Sequence, residues 1–303
     1  MSKTLLVTGS TGKQGGAVVR ALQGSDFEIL ALTRNVSSSS AQKLTHLSSN
    51  IKLLQGDLGN ATAIFEKAKE ISNNPIWGVF SIQVCANVMG TGGEIEEKQG
   101  KDLVDASIAA DVKFFVYTSV DRGGSKSDAI PTPVPHWACK QRIETHLKEN
   151  ASRNGMEFTI LRPTAFMEIL SNDFNGKLMA TMWRTVLKEK PLQMVATKDI
   201  GWFAAQAFKY PDQSSGKSLS LAGTEVTFQQ ANEIFRQKFG RDLPSTFGIV
   251  SHVLLRMAKE LSLMLTWMKE EGTAADVEGC RRLHPEMLDL GAWLETESAF
   301  KSC

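Results

Sequence analysis

Residues 4–16 read Thr4-Leu5-Leu6-Val7-Thr8-Gly9-Ser10-Thr11-Gly12-Lys13-Gln14-Gly15-Gly16, and the reading of this stretch decides the fold. Leu5, Leu6 and Val7 form the short apolar run of a buried strand, whereas Gly9, Gly12 and Gly15 supply the backbone freedom of a tight turn. Ala17, Val18, Val19, Ala21 and Leu22 continue the pattern as a helix. A strand, a glycine turn and a helix in this order bring N-terminal N–H groups and the positive end of a helix dipole to one place, where glycines let the main chain approach a ligand. The stretch predicts a phosphate cradle for a dinucleotide. Its spacing is Gly-x-x-Gly-x-x-Gly rather than Gly-x-Gly-x-x-Gly, so the triplet gains its weight from the strand before it and the helix after it.

Outward from the cradle, apolar runs alternate with helical patterns. Strands are expected at Phe27–Thr33, Ile51–Leu54, Ile76–Val84, Lys113–Thr118 and Phe158–Leu161. The intervening helices are expected to end near Leu47, Ile71, Ala110 and Asn150. Pro131, Pro133 and Pro135 forbid regular structure before the last of them. Strand and helix alternating at these lengths indicate parallel βαβ units and one doubly wound α/β sheet over residues 1–163.

Beyond Pro163 the order changes. Thr164–Leu170, Lys177–Lys188, Asp199–Phe208, Thr227–Phe239 and Ile249–Glu270 read as helical, with a strand candidate at Gln193–Ala196. A returning strand near 217–222 would rejoin the main sheet, so residues 164–303 are expected to form a smaller, mainly helical lobe interleaved with the first.

Composition narrows the function classes. The 303 residues are 42% hydrophobic and 22% charged, enough apolar content for a large core and too much for a disordered chain. A formal net charge of +1 gives no global attraction to nucleic acid or anionic lipid. Cys85, Cys139, Cys280 and Cys303 lack CxxC or Cys/His spacing, and no cleavable signal precedes the first strand, so a reducing cytoplasmic setting is expected, or a nuclear one for a regulator. The longest apolar stretch, Phe247–Met268, is broken by Arg256, Lys259 and Glu260, which argues against a membrane span. Five histidines show no metal-ligand spacing, and Glu94, Glu96 and Glu97 with Lys98 read as a solvated helix start.

The end of the second strand bears on cofactor choice. A carboxylate there binds a ribose 2′-hydroxyl, and an arginine accommodates a 2′-phosphate. Here the residues are Thr33-Arg34-Asn35, so NADP is favoured over NAD, with Arg34 as the phosphate fork. Gly9, Thr11, Gly12, Lys13, Gln14 and Gly15 make up the cofactor loop. Lys13 and Ser37–Ser40 are either further phosphate donors or ordinary residues of exposed loops. Asp57, at the end of the third strand, stands either to accept from the adenine amine or to cap a turn.

Gly9-Ser10-Thr11-Gly12-Lys13-Gln14-Gly15, Thr33-Arg34, Gly56-Asp57, Val116-Tyr117-Thr118-Ser119, His136-Trp137-Ala138-Cys139-Lys140 and Leu161-Arg162-Pro163 together resemble the NmrA-like family of atypical short-chain dehydrogenases/reductases. The resemblance spans about residues 4–210. It implies an extended Rossmann fold that binds NADP(H), with substrate held between the sheet's C-terminal edge and the C-terminal lobe. Some family members look like NADP-responsive regulators, and fungal relatives often belong to secondary-metabolite pathways as presumed oxidoreductases.

A short-chain dehydrogenase uses Tyr-x-x-x-Lys, the phenol moving the proton and the lysine holding the nicotinamide ribose. This chain has only Tyr117 and Tyr210, neither with a lysine four positions on. His136 instead precedes Lys140 by four residues, which on a helix puts both on one face. The candidate catalytic residues are therefore Lys140 on the ribose, His136 as proton donor, and Ser119 orienting a carbonyl. His136 also fits a polar first-turn residue after Pro135, and Thr118 is as good a donor as Ser119.

Met179, Met182 and Trp183, then Met257, Leu261, Met264, Leu265 and Met268, recur near helical spacing. They read as core, or else as a greasy substrate pocket or partner surface. Two functions follow: an NADP(H)-dependent oxidoreductase for a small, largely apolar carbonyl or enone, or an NADP(H)-sensing regulator that presents its C-terminal lobe to a protein partner.

Overall fold

The computed structural model describes residues 2–83, 92–248, 255–256 and 258–301. The cradle stretch forms β1 (Thr4–Val7) and α1 (Lys13–Ala21). There follow β2 (Glu28–Thr33), α2 (Ser39–Thr45), β3 (Ile51–Gln55), α3 (Ala61–Ile71), β4 (Ile76–Ser81), α4 (Gly92–Ala109), β5 (Phe114–Thr118), α5 (Pro135–Arg153) and β6 (Glu157–Pro163). The later elements are β7 (Ala165–Phe166), α6 (Phe174–Met182), β8 (Leu192–Val195), α7 (Thr197–Lys209), α8 (Pro211–Ser214), β9 (Lys217–Leu221), β10 (Thr224–Val226), α9 (Phe228–Phe239), α10 (Lys259–Glu270), α11 (Val277–Leu283) and α12 (Leu290–Thr296).

Seven strands form one sheet in the order β3-β2-β1-β4-β5-β6-β9, parallel from β3 to β6. Leu6 lies opposite Leu30 on one side and Val79 on the other, and all three are fully buried. Strands apolar on both faces require helices above and below. Phe65, Leu103, Ile143 and Leu147 from α3, α4 and α5 pack on Leu6, Val79 and Phe115 of the sheet. Gly201 of α7 meets α1 so closely that a Cβ there would lie 2.5 Å from the Ala17 carbonyl carbon. Because β1 sits between β2 and β4, the crossovers diverge from it, and α/β sheets of this order bind ligands beyond the C-terminal end of such a strand.

The chain folds into two compact units. One comprises 1–119, 139–162 and 198–219, the other 120–138, 163–197 and 220–303. The second unit has its own three-stranded sheet, β10-β8-β7, with β8 antiparallel to β10 and parallel to β7. Its core gathers Met167, Trp183, Met194, Phe235 and Trp293. Helix α9 starts on a capping box in which Thr227 and Gln230 satisfy each other's backbone N–H groups, and it stops at Gly240 with φ +68°.

Two expectations are corrected. Thr164–Leu170 is not a helix: Ala165 and Phe166 pair with Met194 and Val195, and Met167–Ile169 is a single 3-10 turn. Long-range pairing overrides the local pattern there, since Thr164 also bonds Leu221 through both its N–H and its hydroxyl. The strand expected at Ile76–Val84 ends at Ser81, because the Thr8 hydroxyl takes the N–H of Ile82 and returns a bond to its carbonyl. Of the helix expected from Ile249 to Glu270, Lys259–Glu270 is seen; residues 249–254 and 257 lie outside the described residues, as does Val84. Strand β10 and helices α11 and α12 had no counterpart in the sequence reading.

Glu28 at the start of β2 illustrates the electrostatics of the sheet's far edge. Burial alone would raise its carboxyl, but bonds from Lys52, Ser72 and Thr4, with the Lys52 charge, outweigh that and hold it below the ordinary glutamate range. A depressed folded value stabilises the protein above the unfolded value and is lost as pH falls through the folded one. Glu28→Gln is therefore expected to lower the melting temperature at pH 7, and the gap to the parent should close as pH drops below the carboxylate range. An equal gap throughout would contradict this origin.

Candidate functional site

The cradle lies in the first unit. Gly9 takes φ +58°, and a Cβ on it would meet Ile82 Cγ2 at 2.7 Å. A bond of 2.9 Å from the Gly12 N–H to the Gly9 carbonyl closes the turn, and the Ser10 hydroxyl donates to the Leu32 carbonyl of β2 at 2.7 Å. Gly12 is the N-cap of α1; it has no capping side chain, and no acidic residue stands in the first turn. The positive end of the helix is thus not neutralised by a local side chain, as an anion site requires. Thr11, Gly12 and Lys13 are exposed around it. Gln14 accepts a bond of 2.7 Å from the Thr118 hydroxyl, which ties the loop to the end of β5.

Arg34 is exposed one residue past β2, and its carbonyl accepts from Gln55 Nε2 at 3.3 Å. Asn35 and Ser38 organise the following loop, Ser38 as the N-cap of α2. Asp57 caps the 3-10 turn Leu58–Asn60, accepting the Gly59 N–H at 2.8 Å through Oδ1. Ser119 is buried past the end of β5, its N–H bonded to the Leu161 carbonyl at 2.7 Å.

Lys140, one turn into α5, forms an ion pair of 2.6 Å with Glu96 of α4. Glu96 is fully buried, so the solvated helix start expected at Glu94–Lys98 is corrected at this residue. Periodicity carried a signal for it, since Glu96 shares a helix face with the buried Gly100, Leu103 and Ser107. Glu97 faces Lys101 and Arg142, each at 2.6 Å. Burial would raise its carboxyl, but those bonds hold it below the ordinary range.

The second unit holds His136, in the first turn of α5. Its Nδ1 lies 2.6 Å from Glu260 Oε1, and the same oxygen accepts the His136 backbone N–H at 3.0 Å. Both side chains are largely buried, 16% and 13% exposed. The next residue, Trp137, packs edge-on against Trp267 and lines an apolar cavity of about 200 Å³. Phe166, Met179, Trp183, Met264 and Met268 also line it. Trp183 and Leu187, which also lines it, belong to a π-helical turn (Trp183–Leu187) that ends at Lys188 with φ +54°. Met182 instead packs with Leu178 and Leu265, and Met257 lies outside the described residues. Asp121, at the rim of the loop after β5, is fully buried and accepts the N–H groups of Gly123, Gly124 and Ala274 and the Ser220 hydroxyl, which knots that loop in place.

Among the described residues no group of three His, Cys, Asp or Glu side chains could hold a metal ion, and no helix is long and apolar enough to cross a membrane.

The NmrA-like family model matches residues 1–294. The chain belongs to the NmrA-like family. Among NmrA-like proteins, it is 26% identical over 281 residues to a family protein of Dictyostelium discoideum, covering 90% of this chain and 89% of that one. It is 25% identical to the nitrogen metabolite repression protein of Neurospora crassa, covering 79% of this chain and about half, 53%, of the relative. The fold of this NmrA-like chain matches the Escherichia coli NADPH-dependent quinone oxidoreductase complexed with NADPH, at TM-score 0.69 and 18% identity over 96% of this chain and 98% of that one. Sequence reasoning found the glycine loop and the His-x-x-x-Lys of this NmrA-like protein. It missed Glu96 and Glu260, the second of which lies 124 residues from His136 in the chain.

Proposed function

We propose that this NmrA-like protein is an NADP(H)-dependent oxidoreductase that reduces a small, largely apolar carbonyl, quinone or enone of secondary-metabolite type. The observation that carries the reading is on α5: Lys140 and, one turn earlier, a histidine with a carboxylate partner, next to an apolar cavity. The residues of the first unit fit the cofactor, with an uncapped helix start for the pyrophosphate and Arg34, not a carboxylate, past β2 for the 2′-phosphate. Bound NADPH supplies a hydride. Lys140 holds the nicotinamide ribose; its ammonium carries three hydrogens and is ion-paired to Glu96. His136 gives a proton to the substrate oxygen as charge develops there, and Ser119 orients that oxygen. Trp137, Phe166 and Trp183 suit a flat ring, and about 200 Å³ is less than the ~300–1,000 Å³ of most drug-sized sites, which favours a small one. The E. coli structural neighbour, described as a quinone oxidoreductase, supports the same class.

The test is NADPH oxidation by the purified protein with a panel of quinones, enones and aromatic ketones. Substrate-dependent oxidation is expected. Tight NADPH binding without turnover on any of them would overturn the reading in favour of an NADP(H)-sensing regulator, which the absence of Tyr-x-x-x-Lys and the Neurospora relative favour. Arg34→Ala should weaken NADPH about ten- to hundredfold and NADH little, since a charged hydrogen bond is worth ~1.5–3 kcal/mol. Equal loss for both cofactors would show that Arg34 does not read the phosphate.

A further inference from the structure

We infer that Glu260 is a positioning residue for proton transfer, holding His136 in the tautomer that carries its proton on Nδ1 and leaving Nε2 as the atom that serves the substrate. The inference rests on His136 being the proton donor of the reading above. Its own ground is the geometry of a single oxygen. Glu260 Oε1 lies 2.6 Å from Nδ1 and 3.0 Å from the His136 backbone nitrogen, and the backbone N–H only donates. An oxygen that already accepts the main-chain proton is an acceptor for the ring as well, so Nδ1 bears hydrogen. The two bonds converge from one carboxylate onto one residue, so they set the ring's orientation together with its protonation pattern.

Placement agrees with this role. Pro135 opens α5, and the His136 N–H is one of the orphan donors of the first helical turn, which Glu260 satisfies from α10. One turn further along α10, Met264 lines the apolar cavity, and the residue after His136, Trp137, lines it from α5. The His136 and Trp137 rings meet edge to face with centroids 5.7 Å apart, which packs the imidazole against the cavity's wall. The dyad and the cavity thus share two helices.

In the step itself the imidazolium carries both ring protons. As hydride reaches the substrate carbon from the reduced nicotinamide, the Nε2–H bond breaks and an O–H bond forms on the substrate oxygen. Neutral imidazole remains with its proton on Nδ1, still donated to Glu260, and solvent restores the proton on Nε2. The substrate gains one hydride and one proton and is reduced by two electrons; the cofactor is oxidised by the same two. Glu260 accepts from Nδ1 before and after the transfer.

The experiment reads the ring nitrogens directly. Protein labelled with 15N-histidine is examined by long-range 15N–1H correlation at a pH where the imidazole is neutral, in the parent, Glu260→Gln and Glu260→Leu, and steady-state rates with NADPH are measured on the same samples. The parent and Glu260→Gln, whose amide oxygen still accepts, are expected to show His136 protonated on Nδ1. Glu260→Leu is expected to shift the proton to Nε2 and to lower kcat about ten- to hundredfold, the loss typical of removing a residue that orients a functional imidazole, with KM for NADPH unchanged. Glu260→Gln keeps the cap and the tautomer but not the charge, so its kcat should fall less. A parent ring protonated on Nε2, a leucine variant that keeps Nδ1–H, or unchanged kcat in an active protein overturns the inference alone. Absence of turnover in the parent overturns the oxidoreductase reading and this role with it.

Discussion

Gly15→Ala is expected to abolish NADPH binding, with more than a hundredfold loss of affinity measured by calorimetry, and to cost about 1–3 kcal/mol of stability, the usual range for overpacking. A Cβ on Gly15 would stand 2.4 Å from the carbonyl oxygens of both Gly9 and Thr8 and 2.5 Å from the Gly9 carbonyl carbon. These are main-chain atoms and cannot rotate aside. Thr8 is pinned to β4 by its N–H bond to Phe80, and the Gly9 oxygen is the acceptor that closes the turn. Relief requires α1 to move off β1, which withdraws its first N–H groups from the phosphate position and disturbs the buried Val18 and Val19. Gly24→Ala is the control. Gly24 has φ +67° but nothing within 4 Å of its Cβ position, so alanine there pays backbone strain of about 1 kcal/mol and should leave NADPH affinity unaltered. Parent-like affinity in Gly15→Ala would refute the cradle.

The second large effect concerns Lys140. Lys140→Met should destabilise the protein by about 3–5 kcal/mol in urea unfolding, because it leaves an uncompensated buried carboxylate. Glu96 has zero exposure, and among the described residues its carboxylate oxygens have no hydrogen-bond partner, only the ion pair to Lys140. Lys140 retains 15% exposure, which places the expected value at the lower end. Lys140→Met with Glu96→Gln should recover much of the loss, since an amide costs far less to bury than an ion. The double variant also separates folding from function: recovered stability with NADPH turnover still absent would assign Lys140 a part in the reaction. Additive destabilisation of the two single variants would show that the pair is not coupled.

These two predictions differ in how far the sequence foresaw them. The need for glycine at position 15 follows from a strand, a turn and a helix within a dozen residues, where local chemistry sets the geometry. The Lys140–Glu96 pair joins residues on α5 and α4, and its cost depends on a desolvation that no local pattern records. The same holds for Thr164–Leu170, whose composition suits a helix but whose backbone is claimed by β8. Asp57, for which two roles stood open, is seen capping a turn. The methionine and tryptophan spacing of the C-terminal lobe was legible as an apolar face; that Met179, Trp183, Met264 and Met268 leave a cavity between them depends on how α6, its π-helical turn and α10 pack.

By itself, then, the chain's sequence determined the doubly wound sheet, the glycine cradle at its N-terminus, the absence of a carboxylate after β2 and the His-x-x-x-Lys of α5. All of these are encoded in short-range periodicity and in the conformational limits of single residues. Tertiary structure alone decided what those residues face. Glu96 meets Lys140 and Glu260 meets His136 because packing brings distant helices together, and burial converts ordinary surface carboxylates into the partners of the two residues on which the chemistry is proposed to turn.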